Sequence, residues 1–204
     1  MPAETDVINR GLRLIGAQPI VSRTDGTPPA NAANDIYDEV RLALLQSHPW
    51  NFATKRVKLA QSSTTPIFEF DYGYPLPSDW VRTVSVHDND AGHGTVLFRM
   101  EIIGTQRAIV TSSDEIWLRY IADISDPNLM TADFRKALEE SLGRDLAIPL
   151  ASSNRMQNDL AKQAALSISA ARSSDAMGSF PEFRPRGSWT SSRGGNRRNE
   201  FFSD

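Results

Sequence analysis

A chain of 204 residues accommodates one domain with a modest core, and an apolar content of 40% lies below the usual share for compact domains, so part of the chain is expected outside the core. The absence of cysteine excludes disulfides, thiolate metal sites and cysteine nucleophiles together, and it fits assembly in a reducing cytoplasm. A net charge of −3 argues against tight wrapping of DNA, which needs many Lys/Arg–phosphate contacts, and no run of about 18 apolar residues offers a membrane span.

Residues Met1 to Gly16 lack the basic-then-apolar pattern of a signal peptide. Thr5 reads as a helix cap with Asp6 in the first turn, where the helix dipole favours negative charge. Ile8, Leu12 and Ile15 follow at helical spacing, predicting a helix over 5–16 that Gly16 and Pro19 terminate. Asp25-Gly26 and Pro28-Pro29 read as a loop. A second helix is predicted over 31–47, with Ala33, Tyr37, Val40 and Leu44 on one face and Pro49 beyond its end.

Residues 54–121 change period. Val57-Lys58-Leu59, the alternating Phe68 and Phe70, the run from Val81 to His87, Leu97 to Ile103, Arg107 to Thr111 and Ile116 to Ile121 read as short strands. Gly104-Thr105 and Ser112-Ser113-Asp114 mark turns. The gaps are too short for parallel crossovers, which predicts an antiparallel β-meander inserted between helices.

Helix returns at Thr131-Ala132-Asp133, a capping sequence. Phe134, Leu138, Leu142 and Leu146 form a stripe over a predicted helix 131–150, with Pro149 ending or kinking it near Ile148. Ser152-Ser153 would cap a fourth helix over 153–171, with Met156, Leu160, Ala164 and Ile168 on one face and several alanines keeping it slim. The fold class is therefore α+β: a bundle of about four helices with an inserted antiparallel meander, in one domain over 1–171. Trp50, Phe52, Phe134, Leu138 and Leu142 are the expected core anchors. Residues 172–204 hold six Arg, four acids and five aromatics but no Leu, Ile, Val or Lys, so they read as an extended, flexible C-terminal arm that cannot fold alone.

Chemistry is hard to find. His87-Asp88-Asn89-Asp90-Ala91-Gly92-His93 looks like a metal loop, but Arg99 stands where a calcium loop needs its closing Glu, and two His on a hairpin tip make a poor zinc site; a polar turn is the better reading. No nucleophile elbow, phosphate loop or zinc-protease motif occurs. Asp35 and Glu39 could pair at i,i+4, yet they and Glu139-Glu140 read as solvated helix faces. His48-Pro49-Trp50 reads as a structured helix exit. In the arm, Phe180, Phe183 and Trp189 among Arg184, Arg186, Arg193, Arg197 and Arg198 resemble either a single-strand nucleic-acid binder or a docking arm that orders on a partner; the aromatics favour docking over an inert tail.

Tyr37-Asp38, Val40-Arg41, Leu44-Leu45 and Ser47-His48-Pro49-Trp50-Asn51-Phe52-Ala53, with Lys55-Arg56 and Leu59-Ala60, resemble the N-terminal signature of phage head-to-tail connector proteins, nearest to the tail tubular protein A (gatekeeper) family. Leu14-Ile15-Gly16 with Pro19-Ile20 is similar to that family's opening, and Tyr72-Gly73-Tyr74-Pro75-Leu76-Pro77-Ser78-Asp79-Trp80-Val81-Arg82 to its entry into a β insertion. Leu118-Arg119-Tyr120-Ile121, Asp126-Pro127, Phe134, Ala137-Leu138, Leu146-Ala147 and Pro149-Leu150 resemble its later half. The match covers about 5–171; its motifs are structural, and their order along the chain carries the resemblance.

The resemblance implies a non-enzymatic virion protein without cofactor, catalytic residue or metal. It implies long helices with a β insertion, assembled as a ring, usually of twelve copies, between the portal protein above and the next tail or nozzle component below. Genomic DNA would pass through the channel without specific binding, and the acidic body suits a duct in which DNA must slide. The expected location is the virion's head-to-tail interface, after assembly in the host cytoplasm. The arm, through the Phe, Trp and Arg residues above, would bind the portal. The rivals are a nucleic-acid-binding protein acting through its Arg/aromatic tail and a glycan hydrolase, for which no convincing pair of carboxylates presents itself.

Overall fold

The computed structural model describes residues 3–92 and 96–178. Among them, four α-helices frame six strands: α1 (Glu4–Leu14), α2 (Pro28–Gln46), β1 (Thr54–Lys58), β2 (Tyr72–Pro75), β3 (Trp80–His87), β4 (Arg99–Ile103), β5 (Gln106–Thr111), β6 (Trp117–Ala122), α3 (Ala132–Ala151) and α4 (Asn154–Met177). The fold is α+β, with both sheets antiparallel and inserted between α2 and α3.

Local chemistry explains most helix ends. The Thr131 hydroxyl accepts from the Phe134 N–H and the Ser153 hydroxyl from the Met156 N–H, so both later helices start where short polar side chains satisfy first-turn donors. Two starts differ from the sequence reading. Thr5 lies inside α1, whose cap is Ala3; the Ala3 N–H donates to the Asp6 carboxylate at 2.8 Å, so the first-turn acid closes the end. Pro28-Pro29 are not loop but the first turn of α2, behind the cap Thr27. Proline suits that turn because its missing N–H would have had no helical partner. Between α3 and α4 the chain reverses at Ser152, which adopts φ 49°, and Pro149 sits in the last turn of α3.

Helix α3 is the centre of the bundle and packs against α1, α2 and α4. Its approach to α1 is close at Gly11 and Gly143. A Cβ at Gly11 would lie 3.1 Å from the Glu139 carbonyl, and one at Gly143 would lie 3.3 Å from the Gly11 carbonyl. Trp50, Phe134, Leu138 and Leu142 are fully buried and Phe52 is half-buried, all in one cluster with α1, α2 and the sheets. Helix α4 lies at the periphery, attached by one face: Leu160, Ala164 and Ala171 are buried, Met156 and Ile168 partly so. It does not stop at 171 but continues to Met177, so residues 172–177, expected in the arm, are helical.

The β insertion is not a meander. One sheet has the order β1-β6-β3 and the other β2-β5-β4, so only β4-β5 is a hairpin of adjacent strands. Short gaps exclude parallel crossovers but leave the order of antiparallel pairing open, and here β6 returns between β1 and β3 to bury Leu118 and Tyr120. Phe68 and Phe70 alternate as a strand would yet form none: Glu69 between them takes φ 73°, Phe70 is buried and Phe68 is 78% exposed. A left-handed residue breaks the extended backbone that period-2 burial requires.

Candidate functional site

The segment after α2 builds a joint. The Trp50 indole N–H donates to the Leu44 carbonyl at 2.9 Å, locking the ring beneath the helix it follows. Its ring meets Phe134 edge-on at 5.0 Å and His48 at 4.8 Å, and Phe52 meets Phe134 at 4.9 Å. Asn51 and His48 then hold the last turn of α4. The Asn51 backbone N–H donates to both oxygens of the Asp175 carboxylate (3.1 and 3.2 Å), and its side-chain amide donates to the Asp175 carbonyl (2.7 Å). His48 Nε2 lies 3.3 Å from the same carboxylate, which is 6% exposed. His48 is thus a structural clasp. Asp175 escaped sequence reasoning because it stands in a Ser-rich stretch without period.

A groove of about 450 Å³ runs where α2, α3 and α4 meet, floored by Ile36, Val40, Leu44 and Ile168 and edged by Glu39, Arg144 and Arg172. On the other side of α2, charges link three elements. Arg23 pairs with Glu4 of α1 (3.0 Å) and Asp38 of α2 (2.9 Å). Arg41, 3% exposed, pairs with Asp38 at 3.3 Å and with Asp123, and donates to the Ile124 carbonyl at 2.9 Å. Partial burial would raise the Asp38 carboxyl, but the hydrogen bonds and charges of Arg23 and Arg41 outweigh it and hold that group below the usual aspartate value. Burial, aided by Glu4, pushes the Tyr37 hydroxyl up to about 12. Such a network fixes α1 and α2 on the body; it presents no nucleophile and no free acid–base pair.

The other candidates fall out differently. Asp35 and Glu39 are exposed on α2. Glu139-Glu140 are not a solvated face. Glu140 is 3% exposed and accepts from Gln163 of α4 at 3.1 Å, and half-burial raises the Glu139 carboxyl despite Arg10. Adjacent residues on a helix that is packed on three sides cannot both face water, a constraint invisible from α3's own sequence. His87 bonds to the Ser85 hydroxyl at 2.9 Å, and among the described residues no three His, Asp or Glu side chains gather as a metal site. His93 lies outside the described residues. So do the arm residues Phe180, Phe183, Arg184, Arg186, Trp189, Arg193, Arg197 and Arg198. No helix among the described residues is long and apolar enough to cross a membrane.

Compared with known proteins, the chain matches no family model and no curated relative.

Proposed function

We propose that the chain is a structural virion protein of a tailed bacteriophage, a head-to-tail adaptor that forms a ring beneath the portal and continues the DNA channel. The reading rests on the ordered resemblance over 5–171. The observation that best supports it is the joint: the most distinctive stretch, Ser47–Ala53, is the part that clasps the last turn of α4. Such a clasp suits a long peripheral helix that must keep its angle to a neighbour. Helix α4 covers the body with one face and turns Lys162, Ala165, Leu166 and Ser169 outward, with Leu166 73% exposed. In the ring, that face would lie against the next subunit, as long helices of identical copies pack head-to-tail around a closed symmetry. Residues 179–204 follow this clasped end in sequence, and Phe180, Phe183 and Trp189 would anchor them on the portal while Arg184 and Arg186 pair with its carboxylates.

The direct test mixes the purified protein with portal and reads co-sedimentation and negative-stain images. Rings seated on the portal support the adaptor. A protein that remains free at micromolar concentrations, with or without portal, refutes it.

A further inference from the structure

The groove between α2, α3 and α4 has an apolar floor of Ile36, Val40, Leu44 and Ile168, and its rim leaves one cation unmatched among the described residues. Arg144 is tied to Asp145 through two bonds of 2.7 Å. Glu39 stands exposed to water on the α2 rim. Arg172, half-buried on the α4 rim, enters no ion pair among the described residues, and its Nε is buried without a hydrogen-bond partner. A buried donor left unpaired is destabilising, the more so on a charged group. The cavity, about 450 Å³, falls in the size range of sites that enclose a small ligand or a pair of side chains. An occupant that matches it brings apolar rings for the floor and a carboxylate for Arg172.

The chain carries both beyond α4. Residues 179–204 hold three acids, and two of them, Glu200 and Asp204, bracket Phe201-Phe202 with no Arg between. Reach separates this pair from the other aromatics. Ile168 stands roughly 15 Å before Gly178 along the axis of α4, at about 1.5 Å per residue. Phe180 lies only about 7 Å of extended chain past Gly178 and falls short of it. Phe183 comes straight after the reversal, which itself takes about four residues. Trp189 has the length, but the charges nearest to it are Arg186 and Arg193. Glu200 is separated from Gly178 by chain that spans on the order of 70 Å when extended, ample for the return.

We infer that Glu200-Phe201-Phe202 docks in the α2-α3-α4 groove of its own chain, the two rings on the apolar floor and the Glu200 carboxylate on the Arg172 guanidinium. The pairing is a charge-assisted hydrogen bond, the stronger kind. The same segment of a second copy has the same chemistry, but a tether that spans its two sites holds its own segment at an effective concentration on the order of millimolar. Ordering the segment costs backbone entropy, so open and closed forms are both populated and the body's stability changes little. The contact closes residues 179–199 into a loop anchored at both ends. It stands whether or not the chain forms a ring.

The test uses the full chain. It has no cysteine, so Ser203→Cys gives a single attachment point for a nitroxide. Paramagnetic broadening is read by NMR at the methyl groups of Ile36, Val40, Leu44 and Ile168, with the exposed Ile102 of β4 as reference. Broadening in the groove should exceed that at Ile102 roughly fivefold or more. F201A/F202A and E200R, which change no residue of the described body, should each remove most of that excess, and R172E combined with E200R should restore it. Isotope-labelled protein without nitroxide, mixed with nitroxide-bearing protein of natural isotope content, should show none. Equal broadening in the groove and at Ile102 overturns the inference, as does an excess that survives F201A/F202A. An excess in the mixed sample moves the contact to a second copy and overturns the intramolecular one. A loss in E200R that R172E does not reverse overturns the pairing with Arg172.

Discussion

Trp50→Ala tests the joint on which the body hangs. The ring is fully buried. A buried tryptophan removes about 150–250 Å² from water, worth roughly 4–6 kcal/mol at about 25 cal/mol per Å². Compactness of the denatured chain lowers such figures by about 10–40%, which brings the expectation to roughly 3–5 kcal/mol, the range of large aromatic truncations in cores. The lost indole hydrogen bond adds little. The Leu44 carbonyl that receives it also accepts from the Ser47 N–H (3.2 Å) and hydroxyl (2.7 Å), so it is not orphaned. Urea unfolding followed by circular dichroism measures the change, and an unaltered slope assigns it to the folded state. A loss within about half a kcal/mol, as at surface sites, would refute the placement of Trp50 as the pin between α2, α3 and the sheets.

Three further outcomes follow. Asp175→Ala removes a buried acceptor of a backbone N–H, so stability should fall by about 1.5–3 kcal/mol and amides of residues 172–178 should exchange faster; unchanged exchange would show that the clasp does not hold α4. Because the Asp38 carboxyl is held below its ordinary 3.8, its contribution is complete above that pH and is lost as pH falls through the lower folded value; Asp38→Asn should flatten the acid limb of melting temperature against pH, and an identical limb would contradict the network. Deleting residues 179–204 should leave the unfolding free energy of the body within a few tenths of a kcal/mol, the scale of peripheral changes, and weaken portal attachment tenfold or more. Unchanged attachment would remove the docking role, and lost DNA affinity with intact attachment would support the nucleic-acid alternative.

Helices were legible where burial follows a single period. The stripe from Phe134 to Leu146 and the caps Thr131 and Ser153 gave α3 and the start of α4, because one apolar face and one short polar side chain decide those features locally. The far end of α4 was not legible: Arg172–Met177 looks like linker, and its helix is held by Asp175 reaching a backbone N–H 124 residues earlier. Strand pairing was hidden for a related reason. Period 2 shows which residues share a face, but not that β6 pairs with both β1 and β3, strands far from it in the chain. Glu140 misled because a buried carboxylate depends on Gln163, a partner on another helix. Of the candidate site, the Ser47–Ala53 joint could be read as structured, while its partner Asp175 appears only once α4 lies against Asn51.

The central claim is the adaptor ring, and reconstruction of the head-to-tail region of virions carrying this protein tests it most directly. The account predicts multiple copies closing a ring between portal and tail, with α4 helices side by side between neighbours and DNA on the axis. A density map that places this chain as a single copy, or finds it absent from the particle, would contradict it.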